Sequence, residues 1–246
     1  MISSCLLNDH NSGSLRFCLQ RENRNSVEQR CIRFSSIKFD YQELGIKELS
    51  FSDPNAVPIG SVEFVREFAK VHGIELPTQD MSYPEQLRKY LGRSIRSGRF
   101  DEALPDEFVK PRETKIFDGG IRKQLSEIPE DLSVPCWISE PIRFTYEFRF
   151  YIHERKILGW AQYDDGVIDR IPDILTVRNM IYEYGNSQPI GYAIDLGETS
   201  SGDFLLIEVN DGWALGFYQW GRIHPEDYIA LLESRWNEIK NGGSSK

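Results

Sequence analysis

Three side chains able to hold a hard cation sit inside an otherwise apolar stretch, YAIDLGETSSGDFLLIEVNDGWALGFY, at residues 192–218. Side chains alternate across a strand. In FLLIEVN that rule puts Phe204, Leu206, Glu208 and Asn210 on one face and Leu205, Ile207 and Val209 on the other. With Ser201-Gly202 as a hairpin tip, antiparallel pairing sets Asp195 opposite Glu208 and gathers Asp195, Glu208 and Asn210 on one face. Like charges facing each other on a half-buried sheet destabilise it and raise one pKa unless a cation compensates. Oxygen donors without a nearby His or Cys suit magnesium or manganese better than zinc. Magnesium held by one or two carboxylates completes its shell with water and phosphate oxygens, which points to a nucleotide. The alternative is a solvated outer face with an Asp and a Glu close to a turn.

Upstream, FVKPRETKIFDGG carries Lys110 at the end of a strand stopped by Pro111, and Lys115 in a hairpin whose tip holds Gly119 and Gly120. A glycine tip lets backbone N–H groups approach phosphate oxygens, and two lysines neutralise them. Taken alone, these lysines read equally as solvated strand ends. VPCWISEPI is an apolar strand leading into a polar turn; such an edge can offer backbone groups to an adenine, with Glu140 accepting from ribose hydroxyls, or it can simply be a buried strand and its exit. In YEFRFYI, Glu147, Arg149 and Tyr151 share one face. An arginine on a core-adjacent strand wants a bidentate anion, a phosphate or a carboxylate, with a structural ion pair to Glu147 or Glu140 as the alternative.

The elements that must position these groups follow from periodicity. Strands are expected in CIRFSSIKF and KELSF, then a helix in GSVEFVREFAKVHGI, capped by Ser61, with Val62, Val65, Phe68 and Ala69 as its apolar stripe and Gly73 at its end. A second helix is expected in SYPEQLRKYLGRSIRSG, capped by Ser82, with Leu87, Tyr90, Leu91 and Ile95 inward. Its other side would carry Arg88, Lys89, Arg93, Arg96 and Arg99, a solvated face or an anion-binding one. From residue 107 strands dominate, with hairpin turns at Asp118-Gly119 and at His153 to Lys156. Helices follow in PDILTVRNMIYEYG and PEDYIALLESRWNEIK. Mixed helices and antiparallel hairpins make an α+β protein.

Composition removes several classes. A net charge of -9 disfavours nucleic acid as a partner. No apolar run approaches the ~20 residues of a membrane helix, and the start lacks the pattern of a secretory signal, so a cytoplasmic protein is expected. Cys5, Cys18, Cys31 and Cys136 show no metal or disulfide spacing.

In order, FVKP, Lys115 with its glycine tip, WISEPI, YEFRFYI, Asp195 and IEVND resemble the ATP-grasp superfamily. VPIGSVEFVR, FVKPRETKIFDGG and EVNDGWALGFY resemble more narrowly its clade named for one arginine and two lysines. The resemblance runs from about residue 56 to 220. It implies two α+β subdomains clamping ATP: a lid at 101–141 and a metal-bearing subdomain at 142–241, behind a short α/β lead-in over 1–100 and before a flexible tail at 242–246. It implies that Lys110 contacts the α-phosphate and adenine side and Lys115 the β-phosphate, and that Gly119 and Gly120 cover the phosphates. The backbone of Trp137, Ile138 and Ser139 would meet adenine and Glu140 the ribose, with Glu147 also on the ATP side. Asp195, Glu208 and Asn210 would hold one or two magnesium ions, and Arg149 would steady the transferring phosphoryl group. The implied activity is an ADP-forming carboxylate–amine ligase working through an acylphosphate, on a peptide or protein in one version, with Arg93 and Arg96 at the acceptor. A kinase using the same site, or an ATP-binding module without chemistry, are the alternatives.

Overall fold

The computed structural model describes residues 16–34, 38–78, 80–113, 116–164, 170–218 and 221–242. Cys5, Lys115 and the tail beyond Gly242 lie outside them.

Among the described residues the strands form three sheets. The first is parallel, in the order β2-β1-β3, from β1 (Phe17–Gln20), β2 (Tyr41–Leu44) and β3 (Val57–Ile59). CIRFSSIKF does not form the expected strand: Cys31–Phe34 end helix α1 (Val27–Phe34). Buried Gln29 and Ile32 are three apart there, on one helical face, and the Gln29 amide donates to the carbonyls of Gln20 (2.8 Å) and Ile59 (3.1 Å), joining the ends of β1 and β3. KELSF falls in a 3-10 helix over Ile46–Phe51, begun where the Glu48 carboxylate accepts the Gly45 N–H at 2.8 Å. Helix α2 (Val62–Val71) matches its expected span; Ser61 Oγ accepts the Phe64 N–H, and Gly73 sits at φ 66° beyond the end. Its buried face holds Phe64 beside Val65, Phe68 and Ala69, while Val62 is only half-buried.

The second expected helix does not form. A 3-10 helix covers Glu85–Tyr90, Gly92 takes φ 61°, and Ile95–Arg99 becomes strand β4. The left-handed glycine breaks the helical run, and β4 finds antiparallel partners on β7 (Pro135–Ser139). The basic residues are therefore scattered over a 3-10 helix, a turn and a strand instead of one helix face. The second sheet, over the segment expected to form the lid and extended by β4 ahead of the expected start at residue 101, has the order β4-β7-β5-β6, with β5 (Phe108–Pro111) and β6 (Gly120–Ile121), packed around Phe100, Val109, Cys136 and Ile138.

The third sheet is antiparallel, in the order β11-β10-β8-β9. It comprises β8 (Phe144–His153), β9 (Lys156–Gln162), β10 (Gly191–Thr199) and β11 (Phe204–Asp211). Glu154 and Arg155, both at positive φ, make the expected turn between β8 and β9. One face, with Phe148, Phe150, Tyr192 and Ile194, packs on α3 (Ile174–Tyr184) through Val177, Met180 and Ile181. On the other face Tyr151 and Ala193 meet α4 (Pro225–Lys240) and the first sheet. Among the described residues no helix is long and apolar enough to cross a membrane.

Candidate active site

The β10–β11 register places Asp195 opposite Glu208, as the hairpin reading requires, although strict alternation fails on the way. Thr199 N–H donates to Asp203 O at 2.9 Å, so the tip centres on Ser201, one half-step from the expected Ser201-Gly202 pair. A β-bulge then shifts the register between Asp195 and Leu196, leaving Ile207 without an opposite partner. The two offsets cancel at Glu208. The bulge also re-phases the strand: Leu206 and Val209 both enter the apolar cluster on α3, while Glu208 and Asn210 face the other way with Asp195. A bulge re-aims side chains in this manner.

Arg93 holds the bulge. Its guanidinium donates to the carbonyls of Leu91 (3.0 Å), Leu206 (3.1 Å) and Ile207 (3.2 Å). Expected at an acceptor, it is committed to backbone groups that the bulge would otherwise leave unbonded. Arg96, its expected companion, is exposed and pairs with Glu107 at 2.7 Å.

At the centre, Arg149 and Asp195 are cross-strand neighbours on β8 and β10. Arg149 Nε donates to Asp195 Oδ1 at 2.8 Å and Nη2 to Oδ2 at 2.7 Å, a bidentate pair in which Asp195 is 1% and Arg149 8% exposed. The anion the arginine finds is thus Asp195, not Glu147 or Glu140. Burial alone would lower the Arg149 pKa; the charge of Asp195 and its hydrogen bonds raise it above the ordinary value. The guanidinium also packs against Tyr218 (5.0 Å) and Tyr163 (5.8 Å), whose rings stack at 4.9 Å. Glu147, bonded to Tyr163, is half-buried, and burial raises its pKa. The Asn210 amide donates to Asp195 Oδ2 (3.0 Å) and Glu208 Oε1 (3.2 Å).

Lys110 reaches this group from the lid. Its ammonium forms an ion pair with Glu208 and lies 3.3 Å from Ser82 Oγ. Burial pushes its pKa down to about 8, against the opposing pull of Asp80 and Asp195. Ser82, expected as a helix cap, serves as this partner, and its carbonyl accepts the Val209 N–H at 3.0 Å. Asp195, Glu208, Asn210, Arg149 and Lys110 therefore converge. Among the described residues no group of three or more His, Cys, Asp or Glu does so, and the candidate metal ligands are two carboxylates and one amide. That donor set fits magnesium, which is held by one or two carboxylates with phosphates completing the shell.

The remaining expected residues are placed differently. β7 lies between β4 and β5, so Trp137, Ile138 and Ser139 have a paired strand on each side. The sequence shows a strand and its exit but not its neighbours. Trp137 faces Asp80, bonded through Nε1, with Arg112 over its ring at 4.9 Å; Ile138 is in the lid core; Glu140 is exposed. Gly120 lies within β6 opposite Val109. A Cβ on Gly119 would meet Phe108 at 3.2 Å and one on Gly120 would meet Leu125 at 2.8 Å, so these glycines permit close packing of the hairpin stem. Tyr163, Tyr218 and Asp80 carry no sequence signal, because nothing local distinguishes them from ordinary turn and core residues, and Ser82 shows only that of a helix cap.

Lys110, Arg149, Glu208 and Asn210 line one cleft of about 1240 Å³, walled by the lid, the third sheet and the first sheet. That exceeds the roughly 300–1,000 Å³ of a typical small-molecule pocket.

No curated protein matches this chain. Among solved structures, the ATP-grasp ligase PsnB complexed with precursor peptide PsnA2 and AMPPNP superposes with a TM-score of 0.50 and 9% identity, over 92% of this chain and 98% of that one. PsnB with minimal precursor, Mg and ADP aligns with a TM-score of 0.39 and 16% identity, over 61% of this chain and 56% of that one. D-alanine–D-alanine ligase from Bacillus anthracis complexed with ATP gives 0.48 and 14% identity, over 94% and 100% of the two chains. The family model for the ATP-grasp domain of the clade named for one arginine and two lysines, the third family of that clade, matches residues 43–239, so the chain belongs to that ATP-grasp family.

Proposed function

We propose that the chain is an ATP-dependent ligase that phosphorylates a carboxylate to an acylphosphate, releases ADP, and joins the acyl group to an amine. The observation that carries this is the convergence of Asp195, Glu208 and Asn210 with Arg149 and Lys110 at the cleft between the lid and the third sheet, which all of them but the buried Asp195 line. Phosphoryl transfer asks a protein for positioning and charge neutralisation more than for covalent chemistry.

In the present arrangement each carboxylate has its own cation, Arg149 for Asp195 and Lys110 for Glu208. A lone divalent ion would meet a site already neutral. A divalent ion arriving with a polyphosphate would not: Lys110 can pass from Glu208 to a phosphate oxygen, freeing Glu208 as a ligand beside Asp195 and Asn210. Magnesium bound there would supply charge compensation for the β- and γ-phosphates. Arg149 stays fixed by Asp195 and presents its remaining N–H groups to the phosphoryl oxygens. Lys115, in the β5–β6 connection, would add a second cation, and ribose would lie near Glu140, past the paired part of β7.

Incubating the full chain with ATP, magnesium and a panel of amino acids and peptides should release ADP and phosphate. Glu208→Gln should lower that release at least about 100-fold, in the range for loss of a group stabilising transition-state charge. Release of AMP would exclude the acylphosphate route, and a phosphoryl group kept on the product would make the enzyme a kinase.

A further inference from the structure

We infer that Glu28 receives the acceptor amine and takes its proton, a role that rests on the ligase reading above. Glu28 lies in the first turn of α1 and belongs to the N-terminal sheet layer, yet it lines the same cleft as Lys110, Arg149, Glu208 and Asn210. Its Oε1 accepts the Phe217 N–H at 2.8 Å, which fixes the carboxylate across the cleft toward the segment following β11. Its Oε2 makes no hydrogen bond with the described residues and is available to a ligand. An acidic residue in a first helical turn is stabilised there by the helix dipole. That accounts for a carboxylate at this position, but not for its reaching 189 residues along the chain to the wall of the site.

Gly216 supplies the geometry. A Cβ built on it would stand 3.5 Å from Glu28 Oε1 and 3.8 Å from Arg149 Nη1, with no other group of the described residues outside its chain neighbours within 4 Å. The carboxylate and the guanidinium therefore both border the space beside residue 216, which has no side chain. Tyr218 packs on the guanidinium, its ring 5.0 Å from the guanidinium carbon, and Tyr151 Oη fixes the loop by donating to Gly216 O (3.0 Å) and accepting from Tyr218 N (3.1 Å).

The chemistry needs a group of this kind. A primary amine is an ammonium near neutral pH and cannot attack until a proton is removed. Glu28 binds the ammonium, and one proton passes to its carboxylate and then to solvent. The nitrogen lone pair forms the C–N bond at the acyl carbon, the C–O bond to phosphate breaks, and the leaving phosphate takes both bond electrons. The second amine proton departs with the phosphate as hydrogen phosphate. Arg149, bordering the same space, would meet the charge that accumulates on the acylphosphate. The acceptor class is a primary amine, and a correctly placed base is worth roughly 10²–10⁴ in rate.

The test uses the full chain with ATP, magnesium and peptides bearing aspartate and glutamate, and two probe nucleophiles. Hydroxylamine is already neutral at pH 7; n-butylamine is a cation there. For Glu28→Gln the ratio of butylamide to hydroxamate formed should fall about 100-fold, with Glu28→Asp recovering part of it. The deficit should close as pH rises past the pKa of the amine, because solution then supplies the neutral form; taking the ratio at each pH cancels effects on ATP binding. A lost fold would lower both products together and leave the ratio in place. An unchanged ratio in Glu28→Gln, a deficit indifferent to pH, or a wild-type chain that makes hydroxamate but no butylamide each overturns the inference. A wild-type chain that makes no hydroxamate with any donor overturns the ligase reading itself, and the role of Glu28 with it.

Discussion

Asp195→Asn should destabilise the fold far more than its single atom change suggests, because Asp195 has two roles. It is a candidate metal ligand, and it is the counter-charge of Arg149 in a pair where the partners are 1% and 8% exposed. An asparagine keeps the volume but not the charge, and the guanidinium cannot shed its proton to escape. Breaking a buried pair from one side costs about 3–5 kcal/mol. At roughly 2–4 °C per kcal/mol for a chain of this size, the melting temperature should fall by about 6–20 °C. Removing both charges with well-packed apolar groups is often neutral, so Arg149→Met combined with Asp195→Leu should be at least about 2 kcal/mol more stable than the sum of the single losses predicts. Urea unfolding followed by tryptophan fluorescence measures all four members of the cycle. A coupling energy below about 0.5 kcal/mol, the scatter expected of independent sites, would refute the claim that this pair holds the site together.

Lys110 should make nucleotide affinity depend on pH. Its pKa in the free protein is about 8, and a phosphate partner would raise it. Affinity should therefore be full below pH 8 and fall as pH rises through that value toward the higher bound pKa, by up to tenfold per pH unit; titration calorimetry with ATP and magnesium reads it, and a flat profile from pH 7 to 9.5 would remove Lys110 from the phosphates. Gly159→Ala tests how the chain following the site is held against β9: the new Cβ would stand 2.7 Å from Ile223 Cβ and collide with the Arg222 carbonyl, just where Arg222 N–H donates to Trp160 O at 2.6 Å. A loss of about 1–3 kcal/mol is expected in a thermal melt, and an unaltered melt would mean that the segment moves freely.

The legible parts were those where one local rule suffices. Helix α2 needs only its serine cap and apolar stripe, and α3 and α4 show the same 3.6-residue period. The β8–β9 hairpin has its turn written between two apolar runs. The misread parts lie where a competing long-range contact decides. CIRF is apolar enough for a strand, but Gln29 ties the helix containing it to the ends of β1 and β3. IRSGR continues a helical charge pattern, but Gly92 and pairing with β7 make it a strand.

For the candidate site, the sequence by itself determined the chemical types and their place on two strands of one hairpin, because a short turn between apolar runs is local geometry; their meeting on one face also needs the bulge between Asp195 and Leu196, which simple alternation does not contain. It also showed an arginine and a lysine on strands upstream, at residues 149 and 110. Tertiary structure alone decided how their charges are shared. Arg149 pairs with Asp195 because β10 lies beside β8, and Lys110 meets Glu208 because the lid packs over β11. Arg93 turns inward because a bulge at Ile207 leaves carbonyls that need a donor. Glu28 comes to the cleft because the first sheet packs against the third. None of these follows from spacing along the chain, since each depends on which surfaces are buried against one another, and that is set by the whole core at once.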